Sequence, residues 1–429
     1  MVKQASLVSH LESLVGSEEV APEPSAFAVD GLTPQAAVAP STYERVAEVM
    51  RYAQAEGLAV IPWGGGTLMH IGNVPGRYDI ALSLSRLDRI VEHEPADLTA
   101  SCQAGITLDQ LRGHLRKHAQ LVPLDPPWGE KTTVGGVLAA NASGPSRHAY
   151  GAPRDFTIGL RVVTGDGRVT RTGGRVVKNV AGYDLCKLYI GSLGTLGIIV
   201  EATFKLTPQP RAERTISAAF ETSAHACGFS AEVQRRGLAL RAIQLLNPAA
   251  ASAARLAPDG LCALVLDLVG TPQSVERSRR EIGELASNAA TDLSDAKDPT
   301  VVSKNVGRLS STAHTAMSCK ATTLPTRMPF LIDSLEAAGG APHVVGLPTI
   351  GILYASWPKL DDVEEAVRRL RAATSSKGDS LVIERCPLDV KRGMDVFGEP
   401  PPSFDLMRRI KQQFDPKGIL SPGRHLGRL

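Results

Sequence analysis

The chain has 429 residues, too many for one ordinary core, so two or three domains are expected. Apolar residues make up 43% and charged residues 21%, which excludes a disordered or fibrous chain and fits a globular one. The formal net charge is only +3 and no basic block is interleaved with aromatics, so no nucleic-acid partner is expected.

Residues 1–30 read as a short helix and a tether, interrupted by Pro22 and Pro24. Ser41-Thr-Tyr-Glu44 has the form of a capping box. Val46, Val49, Met50 and Ala53 follow at helical spacing, and Gly57 closes the helix. Residues 58–62 form a short apolar strand that runs straight into Gly64-Gly65-Gly66-Thr67. Strands are expected at 79–84 and 98–103. Thr107 and Gln110 make a second capping box, opening a helix through Leu111 and Leu115. Pro123, Pro126 and Pro127 stiffen the next loop. Thr132-Thr133-Val134-Gly135-Gly136 then leads into a helix expected at 137–141.

A hairpin follows, with strands at 160–164 and 169–172 around Gly165-Asp166-Gly167. A glycine-rich loop at 191–197 precedes a strand at 198–206. Thr207-Pro208-Gln209-Pro210 has the look of a domain boundary. Beyond it glycine thins out. Strand-like runs at 261–269 and 351–355 alternate with charged helices at 274–286 and 361–373. That order predicts an α+β domain, an antiparallel sheet with helices on one face. The tail holds a helix at 406–414 and a turn rich in Pro and Gly. The boundaries read from sequence are therefore 1–30, 31–210, 211–385 and 386–429.

Three consecutive glycines after an apolar strand are costly in backbone entropy. One physical return is a nest of N–H groups that binds an anion such as a pyrophosphate. The other is simply a tight turn. The spacing is neither Gly-x-Gly-x-x-Gly nor a Walker loop. The 132–136 segment puts hydroxyls and small residues at a helix start, which suits either negative charge or close helix packing. Asn141, Ser143 and Gly144 extend that small polar face. With the 191–197 loop, three such turns in one domain point to one large, phosphate-bearing ligand.

These motifs together resemble the vanillyl-alcohol-oxidase family of PCMH-type FAD-binding oxidoreductases. The resemblance rests on Pro62 to Thr67, Thr132 to Gly136, Asn141 and Gly144. It extends through Tyr150-Gly151, Arg154-Asp155, Gly165 to Gly167, Lys178 to Leu185 and Gly191 to Ile198, and closes on Phe414-Asp-Pro-Lys-Gly-Ile-Leu-Ser-Pro-Gly423. It implies an FAD-binding domain of two α/β subdomains plus an α+β cap with an antiparallel sheet. It implies FAD held by Pro62, Trp63, Gly64, Gly65, Gly66 and Thr67 at the pyrophosphate. The same resemblance gives Thr132, Thr133, Gly135, Gly136, Ala140, Asn141, Ser143, Gly144, Gly194, Thr195, Gly197, Ile198 and Ile199 to the rest of the cofactor. His70 lies three residues beyond Thr67, out of place for a covalent link, so the FAD is expected to be noncovalent.

Gly173-Gly174 followed by Lys178 to Leu185 resembles the glycolate oxidase flavin subunits and their D-lactate dehydrogenase relatives. Leu193, where those relatives often carry Glu, resembles the FAD-binding (E) subunit rather than the larger one. The resemblance thus implies a small 2-hydroxy acid substrate such as glycolate or D-lactate, with flavoprotein and iron–sulfur partner subunits. A stand-alone dehydrogenase and a subunit with structural FAD are the alternatives.

Relatives that oxidise 2-hydroxy acids are expected to use a metal held by two His and a Glu-His pair. Here His343 is followed seven residues on by Ile350, and Glu384 by Arg385. No metal is therefore expected. Glu384, Arg385 and His343 remain the catalytic candidates, with Arg385 either clamping a carboxylate or structural. The six cysteines form no Cys-x-x-Cys pair, so zinc and iron–sulfur clusters lack their local signature. Scattered thiols, no apolar leader and no membrane-length stretch suggest a cytoplasmic protein. Any contact with the inner membrane would then be peripheral, through partners.

Overall fold

The structure is a computed structural model describing residues 2–174, 183–287, 289–310 and 315–429. Residues 178–182, the start of the Lys178 to Leu185 motif, lie outside the described residues. The chain forms two compact units. The first comprises 1–143, 152–209 and 395–429, the second 144–151 and 210–394. Residues 144–151, read from sequence within the FAD-binding domain, cluster with the second unit, as do 386–394.

The first unit contains a small parallel sheet and a larger antiparallel one. In chain order its strands are β1 (Ala36–Val38), β2 (Val60–Trp63), β3 (Ile80–Ser83), β4 (Ile90–Glu94), β5 (Thr99–Gln103), β6 (Gln120–Leu121), β7 (Thr157–Val163), β8 (Val169–Gly173), β9 (Ile198–Lys205) and β10 (Thr207–Pro208). The parallel sheet has the order β1-β3-β2, and the antiparallel sheet β4-β5-β9-β7-β8. β6 and β10 pair by themselves.

The helix Tyr43–Glu56 buries Val46, Val49, Met50 and Ala53, the stripe its spacing predicts, and ends at Gly57 in the left-handed region (φ 68°). Its cap differs from the sequence expectation. Thr42, one residue later than Ser41, is extended and accepts from Arg45 N at 3.2 Å. The helix Leu108–Arg116 does have the expected box, with Thr107 and Gln110 bonding reciprocally.

The opening residues are more than a tether. The helix Val2–Val15 places Leu7, Leu11 and Val15 in the main core of the first unit. Val20 then bridges to Val38. Apolar spacing of 7, 11 and 15 on one helical face is the cause.

The second unit is built on one antiparallel sheet. Its strands are β11 (Ala212–Phe220), β12 (Leu240–Leu246), β13 (Cys262–Gly270), β14 (Asp292–Asp295), β15 (Met317–Thr322), β16 (His343–Leu347), β17 (Ile352–Trp357) and β18 (Ser380–Arg385). They run in the order β14-β11-β13-β12-β16-β17-β15-β18. Successive residues Ala263, Leu264, Val265 and Leu266 are all buried, so both faces of the sheet are covered. Sequence suggested helices on one face only. The Ala-rich helix Pro248–Ala254, capped by Asn247, packs with Val306 against Leu246, Ala263, Val265 and Val345. A helix of alanines carries no charged face to announce itself.

Candidate functional site

β2 delivers Gly64, Gly65 and Gly66 against the segment 131–133, and space decides the residue type. A Cβ on Gly64 would lie 2.1 Å from Thr133 Oγ1, and one on Gly65 would lie 1.5 Å from the Lys131 carbonyl oxygen. Gly66 has φ +74°, a conformation that glycine adopts freely. Thr67 Oγ1 and Thr132 Oγ1 are 3.3 Å apart, and Thr132 donates onward to Trp128 O. Trp63 is fixed in turn, because its Nε1 donates to Tyr78 OH at 2.6 Å.

The two candidate anion sites differ in their N–H groups. The helix after Thr133 runs Val134–Ala140, three residues earlier than the sequence placed it. Its first donors are engaged by the protein. Val134 N donates to Ile106 O, Gly135 N to Ala104 O and Gly136 N to Thr133 Oγ1. A Cβ on Gly135 would stand 2.8 Å from Ala104 Cβ. These glycines therefore serve close packing rather than anion binding. By contrast, the N–H groups of Gly64, Gly65, Gly66 and Thr67 make no hydrogen bond to another described residue.

The 191–197 loop caps the same helix. Gly191 N donates to Leu138 O and Leu193 N to Ala139 O. Gly194, at φ +74°, approaches Pro62 so closely that a Cβ would come within 2.6 Å of its ring. Leu193 takes φ 53°, a strained choice for a branched residue.

These segments enclose a cleft of about 680 Å³, open to solvent. Pro62, Trp63, Gly64, Thr133, Gly135, Gly136, Ala140, Gly194, Gly197 and Ile199 line it. Gly65, Gly66, Thr67, Thr132, Asn141, Ser143, Thr195 and Ile198 belong to the same loops and strand without lining it. Gly144 falls in the second unit. Sequence reasoning missed Ile61, Leu68, Met69, Leu84, Ala104, Ala139, Leu193 and Arg424, which complete the lining. Residues 395–429 of the C-terminal tail, expected from the resemblance to return to the FAD domain, cluster with the first unit. Arg424 is buried and donates to Asp30, Asn73 O, Met69 O and Ile71 O. Lys411 Nζ donates to Thr195 O, Asp415 and Leu420 O. The closing motif Phe414 to Gly423 marked the tail in the sequence, but not the partners of Lys411 and Arg424.

The donors and shape suit a dinucleotide cofactor. The wall is mostly apolar, and the 64–67 loop offers unengaged N–H groups. Asn141 Oδ1, buried at the helix end, has no hydrogen-bond partner among the described residues, an acceptor available to a ligand.

The catalytic candidates lie in the second unit, and pairing separates them. His343 on β16 registers with Ser356, Ser356 with Ser318, and Ser318 with Arg385 on β18. Three strand steps put His343 about 14 Å from that edge. His343 and Glu384 therefore cannot ligate one metal. Between Ser318 and Cys319 the register slips, so Glu384 is the extra residue of a bulge. Burial raises its carboxyl pKa from 4.5 to about 7, partly opposed by Lys320. Arg385 Nε and Ser318 Oγ are buried and have no partner among the described residues. Burial lowers the His343 pKa.

Residues 34–173 match the family model described as FAD binding domain, and 399–425 match that of FAD linked oxidases, C-terminal domain. The chain is an FAD-dependent oxidoreductase. Over most of its length the flavoprotein is similar to glycolate oxidase subunit GlcD of Bacillus subtilis, with 27% identity across 91% of this chain and 88% of that one. It is equally similar to D-lactate dehydrogenase of Archaeoglobus fulgidus, with 28% identity across 98% and 100%. A shorter stretch, 30% of this chain and 37% of the relative, is 41% identical to glycolate oxidase subunit GlcE of Escherichia coli. The fold matches that of p-cresol methylhydroxylase with a TM-score of 0.78, covering 98% of this chain and 96% of that one at 17% identity. No helix among the described residues is long and apolar enough to cross a membrane.

Proposed function

We propose that this flavoprotein is the FAD-binding subunit of a glycolate oxidase-type complex, oxidising glycolate or D-lactate to the 2-oxo acid. The carrying observation is the cleft around Gly64 to Thr67, set in a chain whose full-length relatives act on 2-hydroxy acids by name. In this reading the N–H groups of Gly64 to Thr67 hold the pyrophosphate. Thr133, Gly136, Ala140, Gly194 and Ile199 border the rest of the cofactor, bound without a covalent link. Bound FAD would supply a hydride acceptor for the hydroxyl-bearing carbon, and a base of the chain would take the hydroxyl proton.

Arg385 is the proposed carboxylate clamp, because its Nε lacks a partner among the described residues. Glu384 favours a second reading, the stand-alone dehydrogenase. A buried carboxyl with a pKa near 7 is suited to accept the hydroxyl proton at neutral pH. In the complex reading, electrons leave through an iron–sulfur partner subunit, because the six cysteines of this chain lack cluster spacing.

Anaerobic absorbance of the purified chain with glycolate or D-lactate tests both. Bleaching only with partner subunits present supports the complex. Bleaching by the chain alone supports the stand-alone enzyme. No bleaching under either condition overturns both readings.

A further inference from the structure

Three histidines that the flavin chemistry does not use meet on the first unit. His93 lies on β4, the edge strand of the antiparallel sheet. His114 lies in the last turn of the helix Leu108–Arg116. His118 follows where the chain is still coiled, its N–H donating to Leu115 O. The i, i+4 spacing puts His114 and His118 on one face. One ring nitrogen from each lies within 4.8 Å of the others.

The hydrogen bonds fix which nitrogen of His93 is available. Gln120 Nε2 donates to Pro95 O at 2.8 Å, so its Oε1 is the acceptor facing His93 Nε2 at 2.8 Å. His93 therefore carries its proton on Nε2. Its Nδ1 lone pair points to His114 Nε2, 3.0 Å away. A carbonyl that pins the remote N–H of a histidine is the usual support for a metal ligand. Zinc–nitrogen bonds near 2.0–2.1 Å in a tetrahedron place ligand nitrogens about 3.4 Å apart. The observed separations run from 3.0 Å to at most 4.8 Å, so the closest pair must open slightly and the widest close by about 1 Å through side-chain rotation.

We propose that His93, His114 and His118 form a binding site for one divalent transition-metal ion, with zinc the best match and solvent in the fourth position. An all-imidazole set selects zinc, copper or nickel over magnesium or calcium. His118 is exposed, which gives the ion a path in. None of the three lines the flavin cleft. The ion would clamp the sheet edge to the helix end.

The test is calorimetric titration of tag-free, EDTA-treated holoprotein with zinc sulfate. One saturable equivalent with micromolar or tighter affinity is expected. His118→Ala removes an exposed ligand, and His114→Ala a second. Each should weaken binding more than tenfold, while His10→Ala leaves it unchanged. Bound zinc should raise the melting temperature of the parent and not that of His118→Ala. Absence of saturable binding, or equal affinity in the parent and both cluster variants, overturns the site.

Discussion

The two units of this flavoprotein are specified in different ways. In the first, function sits on turns whose geometry demands particular local residues. Gly64, Gly65, Gly135 and Gly194 are there because a Cβ would strike a neighbouring segment or because φ is positive. In the second, the candidate residues are assembled by strand pairing. Ser318, Ser356, His343 and Arg385 share a row only because β15 to β18 meet in that register. Local sterics leave a mark in the sequence, whereas long-range pairing does not.

Four measurements break or sharpen that contrast. Arg424→Ala should have the largest effect. It removes the guanidinium's bonds to Asp30 and to three carbonyls, a loss of about 3–5 kcal/mol. The readout is a fall in melting temperature together with FAD content. Unchanged FAD retention would separate the tail from the cleft.

Glu384 comes next. Burial lifts its folded pKa from the ordinary 4.5 to about 7, so its contribution to stability is complete below pH 4.5 and is lost as pH rises to about 7. Glu384→Gln stays neutral. It should match the parent in acid and exceed it by roughly 3 kcal/mol above neutrality. Urea unfolding across pH checks this, and parallel curves would mean that the carboxyl is solvated.

Thr67→Asp tests the anion cradle. A carboxylate beside the proposed pyrophosphate site should cost roughly 2 kcal/mol, more than about tenfold in FAD affinity. Gly65→Asp is a poorer probe, because any side chain there meets the Lys131 carbonyl whatever its charge. Thr133→Ala should cost least, about 1 kcal/mol for a lost helix cap. Circular-dichroism melts suffice, and no change would show that Gly136 N finds another acceptor.

Much of the first unit was legible. The Thr107 box, the Gly57 stop and the hairpin around Gly165 to Gly167 all follow from short-range chemistry. The 132–136 segment was harder, since Thr, Val and Gly at a helix start suit an anion or tight packing equally. Only the acceptors at Ile106 and Ala104 decide between them. In the second unit the strands at 262–270 and 352–357 were readable from apolar runs. The bulge at Glu384 was not, because a register slip depends on the partner strand. Neither was the histidine cluster, whose His93 is brought to His114 by the fold alone.

The tail has a consequence in time. Val60 on β2 is made early, yet its N–H donates to Ile419 O, and its carbonyl accepts from Ser421 N. Those residues are synthesised after the whole of the second unit. Until then the outer rim of the β1-β3-β2 sheet is unsealed, and Arg424 is not yet in place behind the cleft. The closing strand contacts of β2 and the cleft residue Arg424 are thus completed only after the second unit has been made.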